Sequence, residues 1–424
     1  MNRKSVLNFV LAAALMSAGC SGGEKVSRGN LFNDVTFNFE ALRVLQYAVS
    51  GGSEINEVLD TVANIKDGDF DSWVSAWSER AATSEHYAQN SSDTASSAGH
   101  YARAHNYYRS AEFFISHDDP RKAELVRKTG ETFYKSLDLQ KIDYTRLEVP
   151  YGGTTLSAVY YQSQSSARKN RLLIGVCGFD SIQEELYFMY VKEALARGYD
   201  VLTYDGPGQG SSIRIKKILF THEWEKPNGA VIDYFLAKYE KPEKLFLIGN
   251  SLGTMLVTRA AAFDSRVDGI VCFDVLYDFG EMALWDFPES TKKMVAEYPE
   301  KKVAPIAEKI SEYIMHRDPK IRWAMNHGKW VFGVKSDIEV LKEYYKFTIK
   351  DIAKDVRCDV LLLAATEDHA VPFEFLEKSD KALTNARSIK KVAFDRDSGG
   401  YRHCQVGGLE VFHEALFGWL DSLK

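Results

Sequence analysis

The sequence predicts an α/β fold: a mostly parallel sheet with helices on both faces, preceded by an all-helical domain and carrying a helical cap inserted late in the sheet. Three observations predict it. Short apolar runs alternate with helical stretches from Leu172 to Phe273, the pattern of strands buried on both faces. Helical periodicity without strand signals fills residues 31–143 before that alternation and about residues 275–354 after it. Finally, 424 residues with 45% hydrophobic and 26% charged side chains allow two or three domains with substantial cores. That balance excludes a disordered chain and a small disulfide-stapled scaffold.

The first twenty residues stand apart from this fold. Met1 to Lys4 carry two positive charges, Val6 to Met16 is apolar apart from Asn8, and Ser17-Ala18-Gly19-Cys20 follows. The pattern reads as a secretory signal over residues 1–19, too short to span a bilayer. Small residues before Cys20 resemble a bacterial lipoprotein cleavage site, with Ser17 departing from the usual Leu. The expectation is an exported protein of the bacterial cell envelope, facing the periplasm. Acylated Cys20 would anchor it to a membrane surface, and residues 20–30 would form a flexible tether. Loss of Arg3 and Lys4 moves the side-chain balance from −6 to −8. A mildly acidic chain without a basic stripe argues against nucleic acid as partner.

In the helical domain, Phe32, Val35, Phe39, Leu42 and Leu45 to Val49 form an apolar stripe, with Asp34 as cap and Gly51-Gly52-Ser53 as terminator. The stripe needs a covering surface, which a homodimer partner would also provide. Further helices are expected over Glu54 to Ile65, Asp69 to Glu85 with Trp73 and Trp77 on one face, Ser97 to Ser116, and Pro120 to Leu137. Their aromatics read as packing core.

The remainder, residues 144–424, opens with a hairpin turning at Gly152-Gly153. Strands are expected at Leu172 to Val176, Asp200 to Tyr204, Lys244 to Ile248, Val267 to Phe273, Val360 to Ala364 and Lys391 to Phe394. Helices fall between them at Glu184 to Arg197, Trp224 to Lys238 and Leu252 to Phe263. The four cysteines beyond Cys20 form no C-x-x-C pair, so zinc and thioredoxin-like chemistry are excluded. Cys177 and Cys272 lie in apolar runs; the disulfide state of these two, Cys358 and Cys404 stays open.

Open parallel sheets bind ligands beyond the carboxyl ends of their strands. There, Gly249-Asn250-Ser251-Leu252-Gly253 supplies G-x-S-x-G between a strand and a helix, a turn that projects Ser251 and aims backbone N–H groups at developing negative charge. A serine needs a base and an orienting acid. Asp368 follows a strand, with Glu367 as nearest competitor, and His403 follows the last strand; His369 and His413 are weaker bases. For the oxyanion, Leu252 N–H is one donor and Phe179 N–H, in Cys177-Gly178-Phe179-Asp180-Ser181, the other. No metal or cofactor is expected. Asp205-Gly206-Pro207-Gly208-Gln209-Gly210 is G-x-G-x-G, not the dinucleotide fingerprint, and Pro207 lacks the N–H a phosphate would want.

These motifs together, with His403-Cys404-Gln405, resemble the α/β-hydrolases grouped with 2,6-dihydroxypseudooxynicotine hydrolase and the fungal polyketide-shortening hydrolases, relatives of the prolyl-oligopeptidase-like esterases. The resemblance covers residues 31–424. It implies a Ser251, Asp368, His403 triad and a small acyl substrate held between the sheet, the cap and the N-terminal helices. It also implies that the Asp205 to Ser211 turn shapes the floor of the site. Carbon–carbon bond hydrolases of the group place an acid in the cap near the substrate, where Glu281 falls; Asp180 is the other substrate-side candidate. Known members are mostly intracellular, so the export signal is a departure. Two activities follow: cleavage of an ester or other activated acyl group, or hydrolysis of a β-diketone through the same triad.

Overall fold

The computed structural model describes residues 30–285 and 318–423, with positions 287, 289, 292, 309 and 313 between them. The expected export signal, Cys20, nearly all of the tether and the middle of the cap lie outside the described residues.

The N-terminal domain consists of α1 (Val35–Gln46), α2 (Ile55–Val62), α3 (Phe70–Asn90), α4 (Thr94–Phe114) and α5 (Arg121–Gln140). Aspartates begin three of them. Asp34 accepts from Thr36 and Phe37 N–H, Asp69 from Asp71 and Ser72, and Asp93 from Ser96, satisfying donors that have no partner inside the helix. Phe37, Val58, Trp73, Trp77, Tyr107 and Phe114 fill the core between them. The α1 stripe differs from the sequence expectation. A 3₁₀ turn over Tyr47–Ser50 rotates the chain after Gln46, and Val35 and Val49 are exposed, whereas Phe37, Ala41 and Val44 are buried. The helix buries two sides at once, one in its own domain and one against the sheet domain, so a single stripe does not describe it.

The sheet has eight strands in the order β1-β2-β4-β3-β5-β6-β7-β8. β1 (Tyr144–Tyr151) and β2 (Thr154–Tyr161) pair antiparallel through Gly152 and Gly153, both at positive φ, as a two-residue hairpin turn matching the strand twist requires. The others, β3 (Arg171–Val176), β4 (Asp200–Tyr204), β5 (Lys244–Asn250), β6 (Gly269–Phe273), β7 (Asp359–Ala365) and β8 (Ser388–Phe394), run parallel to one another. Alternate residues feed two cores: Leu172, Ile174, Leu245 and Leu247 face one layer of helices, Leu173, Phe246 and Ile248 the other. The edge strand β8 is blunted by Lys390 and Lys391.

Between strands lie α6 (Lys192–Ala196), α7 (Gly210–Arg214), α8 (Glu225–Lys238) and α9 (Gly253–Phe263). The helix expected over Glu184 to Arg197 contains a π turn at Tyr187–Val191, whose wider winding turns five consecutive large residues inward. The cap includes α10 (Phe279–Ala283), α11 (Pro319–Phe332) and α12 (Asp337–Tyr344). Its base is closed by Phe279 N–H to Phe347 O at 3.0 Å and Ile349 N–H to Tyr277 O at 3.1 Å. After β7 come α13 (Phe375–Ala382) and, beyond β8, α14 (Leu409–Ser422).

Candidate active site

Ser251 occupies the turn between β5 and α9 with φ 55°, left-handed backbone that a non-glycine residue adopts only when the surroundings enforce it. Its neighbours explain why it is enforced. A Cβ on Gly249 would lie 2.1 Å from Gly253 O, and one on Gly253 would lie 2.8 Å from Val176 O and Cys177 O. Only glycines let strand, turn and helix approach this closely, so the serine takes the apex. Ser251 N–H donates to Phe273 O at 2.9 Å, fastening the turn to the end of β6.

His403 and Asp368 arrive from the loops after β8 and β7. His403 Nδ1 donates to Asp368 Oδ2 at 2.6 Å. Asp368 Oδ1 also accepts Ala370 and Val371 N–H at 2.6 and 2.8 Å, which orients the other oxygen, Oδ2, toward the imidazole. Burial works against the Asp368 charge, yet the His403 cation and its hydrogen bond overcome it and hold the carboxyl at about 2. Burial likewise disfavours the His403 cation, and the adjoining carboxylates reverse that, raising it well above its ordinary value. Among the described residues no hydrogen bond joins Ser251 Oγ to His403. The contact at Nε2 is Cys404 Sγ, at 3.6 Å. The two loops nevertheless meet at one carbonyl, Phe273 O, which takes Ser251 N–H and lies 3.8 Å from Cys404 Sγ.

The loop after β3 lies against the serine: a Cβ on Gly178 would be 3.4 Å from Ser251 Cβ and 2.8 Å from Asn250 O. Gln209 Nε2 donates to Cys177 O at 2.7 Å and Gly178 O at 2.9 Å, while Gln209 Oε1 accepts Gly206 N–H at 3.3 Å. A planar trans peptide points its N–H opposite its C=O, so anchoring Gly178 O sets the direction of Phe179 N–H. Neither Phe179 N–H nor Leu252 N–H has a hydrogen-bond partner among the described residues. Phe179 O faces His327 Nε2 from α11 at 3.1 Å, and burial lowers that imidazole to about 4, leaving it a neutral donor. The Phe179 ring is enclosed by Phe279, His327 and Tyr344 of the cap. In the Asp205 turn, glycines admit Trp224 against Gly206 and Phe220 against Gly208; packing, not phosphate, calls for them.

The two substrate-side candidates are both held in ion pairs. Asp180 is engaged by Arg43 at 2.7 Å and Arg109 at 3.5 Å. Burial opposes its charge, but the two guanidiniums hold it at about 2. It therefore joins the helical domain to the loop after β3. Glu281 pairs with Lys378 of α13 and, at 3.7 Å, with Lys350. Glu367, the competing acid, pairs with exposed Arg396. The four cysteines in the described residues are free and buried.

Sequence reasoning missed three contributors. Asp274 lies 3.4 Å from His403 Nδ1; its position directly after β6 was the available signal. Phe39 of α1 packs at a tilt near His369 and His403, with ring centroids 4.7 and 5.8 Å away, a long-range contact no local pattern marks. Arg109 pairs with Glu112 and Glu185 within the interface, and Arg214 also reaches Glu112. Asp274, His403 and Cys404 place ligand-type atoms within 4.8 Å of one another, but Asp368 already occupies Nδ1 and burial raises the Cys404 thiol, so the set suits hydrogen bonding rather than a metal ion.

A model of the alpha/beta hydrolase fold matches residues 178–399. A relative named hydrolase LUC6, from a Fusarium species, is 32% identical over 92% of this chain and 97% of its own. The chain belongs to the α/β-hydrolase family. A model described as esterase FrsA-like matches residues 40–231 of this α/β-hydrolase, spanning the helical domain and the first strands. The 20-hydroxy-prefusarin hydrolase FUS2 of Gibberella moniliformis is 30% identical, covering 91% of this chain and 96% of its own. Among solved structures, 2,6-dihydroxy-pseudo-oxynicotine hydrolase superposes with a TM-score of 0.66 at 18% identity, over 89% of this chain and 94% of that one. The shared architecture thus includes the helical domain.

Proposed function

We propose that this α/β-hydrolase cleaves an ester or other activated acyl group through a covalent acyl-serine. The observation that carries the reading is the oriented His403–Asp368 pair, 2.6 Å apart, whose loop meets the Ser251 turn at Phe273 O. Ser251 attacks the carbonyl as His403 takes its proton; Asp368 holds the imidazole and stabilises its cation. Leu252 and Phe179 N–H groups receive the oxyanion, and His403 then protonates the leaving group. Ser251 and His403 need to close to hydrogen-bond distance on substrate binding, as catalytic contacts commonly do. Hydrolysis of a β-diketone carbon–carbon bond by the same residues is the second reading. The engagement of the Glu281 carboxylate by Lys378 favours the first.

The test is chemical. A fluorophosphonate probe is expected to label the wild type and not Ser251→Ala, and p-nitrophenyl acetate to turn over faster than an aryl diketone. Equal labelling of both proteins overturns the mechanism, and faster diketone turnover selects the second reading. We further propose that residues 1–19 direct export and that Cys20 is acylated. Radiolabelled palmitate should enter the full chain and not Cys20→Ala.

A further inference from the structure

Asp274 lies outside the three residues read as nucleophile, base and acid, yet its carboxylate joins the loops that carry the last two. It follows β6 in left-handed backbone, φ 67°, and is almost wholly buried. Its Oδ1 accepts Ala365 N–H at 3.0 Å, where β7 leads into the Asp368 loop. Its Oδ2 accepts Cys404 N–H at 2.5 Å and lies 3.4 Å from His403 Nδ1. The preceding carbonyl, Phe273 O, holds the Ser251 turn. Residues 273 and 274 therefore tie together three loops that are far apart in sequence. The titratable groups facing Asp274 are Asp368 from the β7 loop and His403 and Cys404 from the β8 loop, with His369 beyond them, 6.0 Å from the His403 ring.

We propose that Asp274 is a positioning residue that clamps His403 against Asp368 and sets the basicity of the imidazole. The inference rests on the proposed reading of Ser251, His403 and Asp368. Burial, reinforced by Asp368, pushes the Asp274 carboxyl up to about 7. It therefore changes charge within the range where such an enzyme works. Once ionised, it adds a second negative charge beside Nδ1 and stabilises the imidazolium. His403 must be neutral to accept the serine proton, so removing Asp274 moves the acidic limb of the kcat/KM profile to lower pH.

The experiment compares the full chain with Asp274→Asn and Asp274→Gly. Asparagine tolerates the left-handed backbone and glycine adopts it without strain, so either variant alone suffices. Profiles of p-nitrophenyl acetate hydrolysis from about pH 5 to 9 give the limb midpoints. The expected result is a roughly tenfold or larger fall in kcat with KM little changed. With it, the acidic midpoint should move down by about half a unit to one unit. An unmoved midpoint in a folded variant, whatever the loss of kcat, makes the role purely structural and overturns the proposal. If wild type itself fails to label at Ser251, the underlying reading falls instead, and that is measured first.

Discussion

At Gln209 one side chain controls the direction of a peptide it does not belong to. Its amide donates to two successive carbonyls, Cys177 O and Gly178 O, and it is nearly inaccessible to solvent. Gln209→Glu keeps the shape and removes both donors, leaving the Gly178–Phe179 peptide free to turn. Loss of one oxyanion donor costs roughly a hundredfold to a thousandfold in kcat. Misdirecting a donor that is still present costs part of that, so a fall of about tenfold to a hundredfold is expected, with KM within about threefold. Steady-state kinetics on an ester, with a melting curve to show that the variant is folded, check it. An unchanged kcat shows that Phe179 N–H takes no part. That Ser251, Asp368 and His403 lie beyond the ends of β5, β7 and β8 was legible in the sequence, from the apolar runs of β5 and β7 and from the polar turn that follows Phe394. Gln209 lay in a legible motif with an illegible purpose, since its acceptors belong to a loop 31 and 32 residues away in the chain.

At the scale of elements, close approach explains what is fixed and what is free. The β5–α9 turn packs backbone on backbone at Gly249, and Gly249→Ala drives a Cβ to 2.1 Å from Gly253 O. The serine turn must open, so fluorophosphonate labelling should be lost even where the rest of the chain folds. Gly418 is the opposite case: it sits in exposed surface on α14 with nothing within 4 Å of an added Cβ. Gly418→Ala should raise unfolding free energy by about 0.5–1 kcal/mol, measured in urea, with activity unchanged. Central strands were readable because burial on both faces leaves an unbroken apolar run, and β4 matches its expected span. The expected α1 face was not, because periodicity assumes one buried side. Helix α1 is covered on one side by Trp73 and Phe114 and contributes Phe39 to the surroundings of His403 on another. The π turn at Tyr187 escaped for a similar reason: all five of its residues are buried, so no period survives.

For the whole molecule, the decisive feature is a buried charge network between the helical domain and the loop after β3 that carries Phe179. Arg43 and Arg109 reach Asp180 and Glu185, and Glu112 binds Arg109, Arg214 and Lys122. Such pairs add little net stability over apolar packing, but removing one member strands a buried charge. Their value here is geometric, because they fix the loop carrying Phe179 to helices from the other domain. Glu40 is the exception within the network. Burial, only partly offset by Arg43, pushes its carboxyl up to about 8, so it is protonated in the native protein at neutral pH. In the unfolded chain a glutamate titrates near 4.3. Folding therefore takes up a proton between these values. The associated stability is complete below the unfolded pKa and is lost as pH rises toward 8, with a slope of at most about 1.4 kcal/mol per pH unit. Glu40→Gln mimics the protonated acid and removes this dependence. The measurement is unfolding free energy in urea for both proteins at about pH 5, 6.5 and 8. The wild type should lose stability relative to the variant at each upward step. Parallel curves would mean that Glu40 is ionised in the folded state, its charge held by Arg43 in the same manner as that of Asp180.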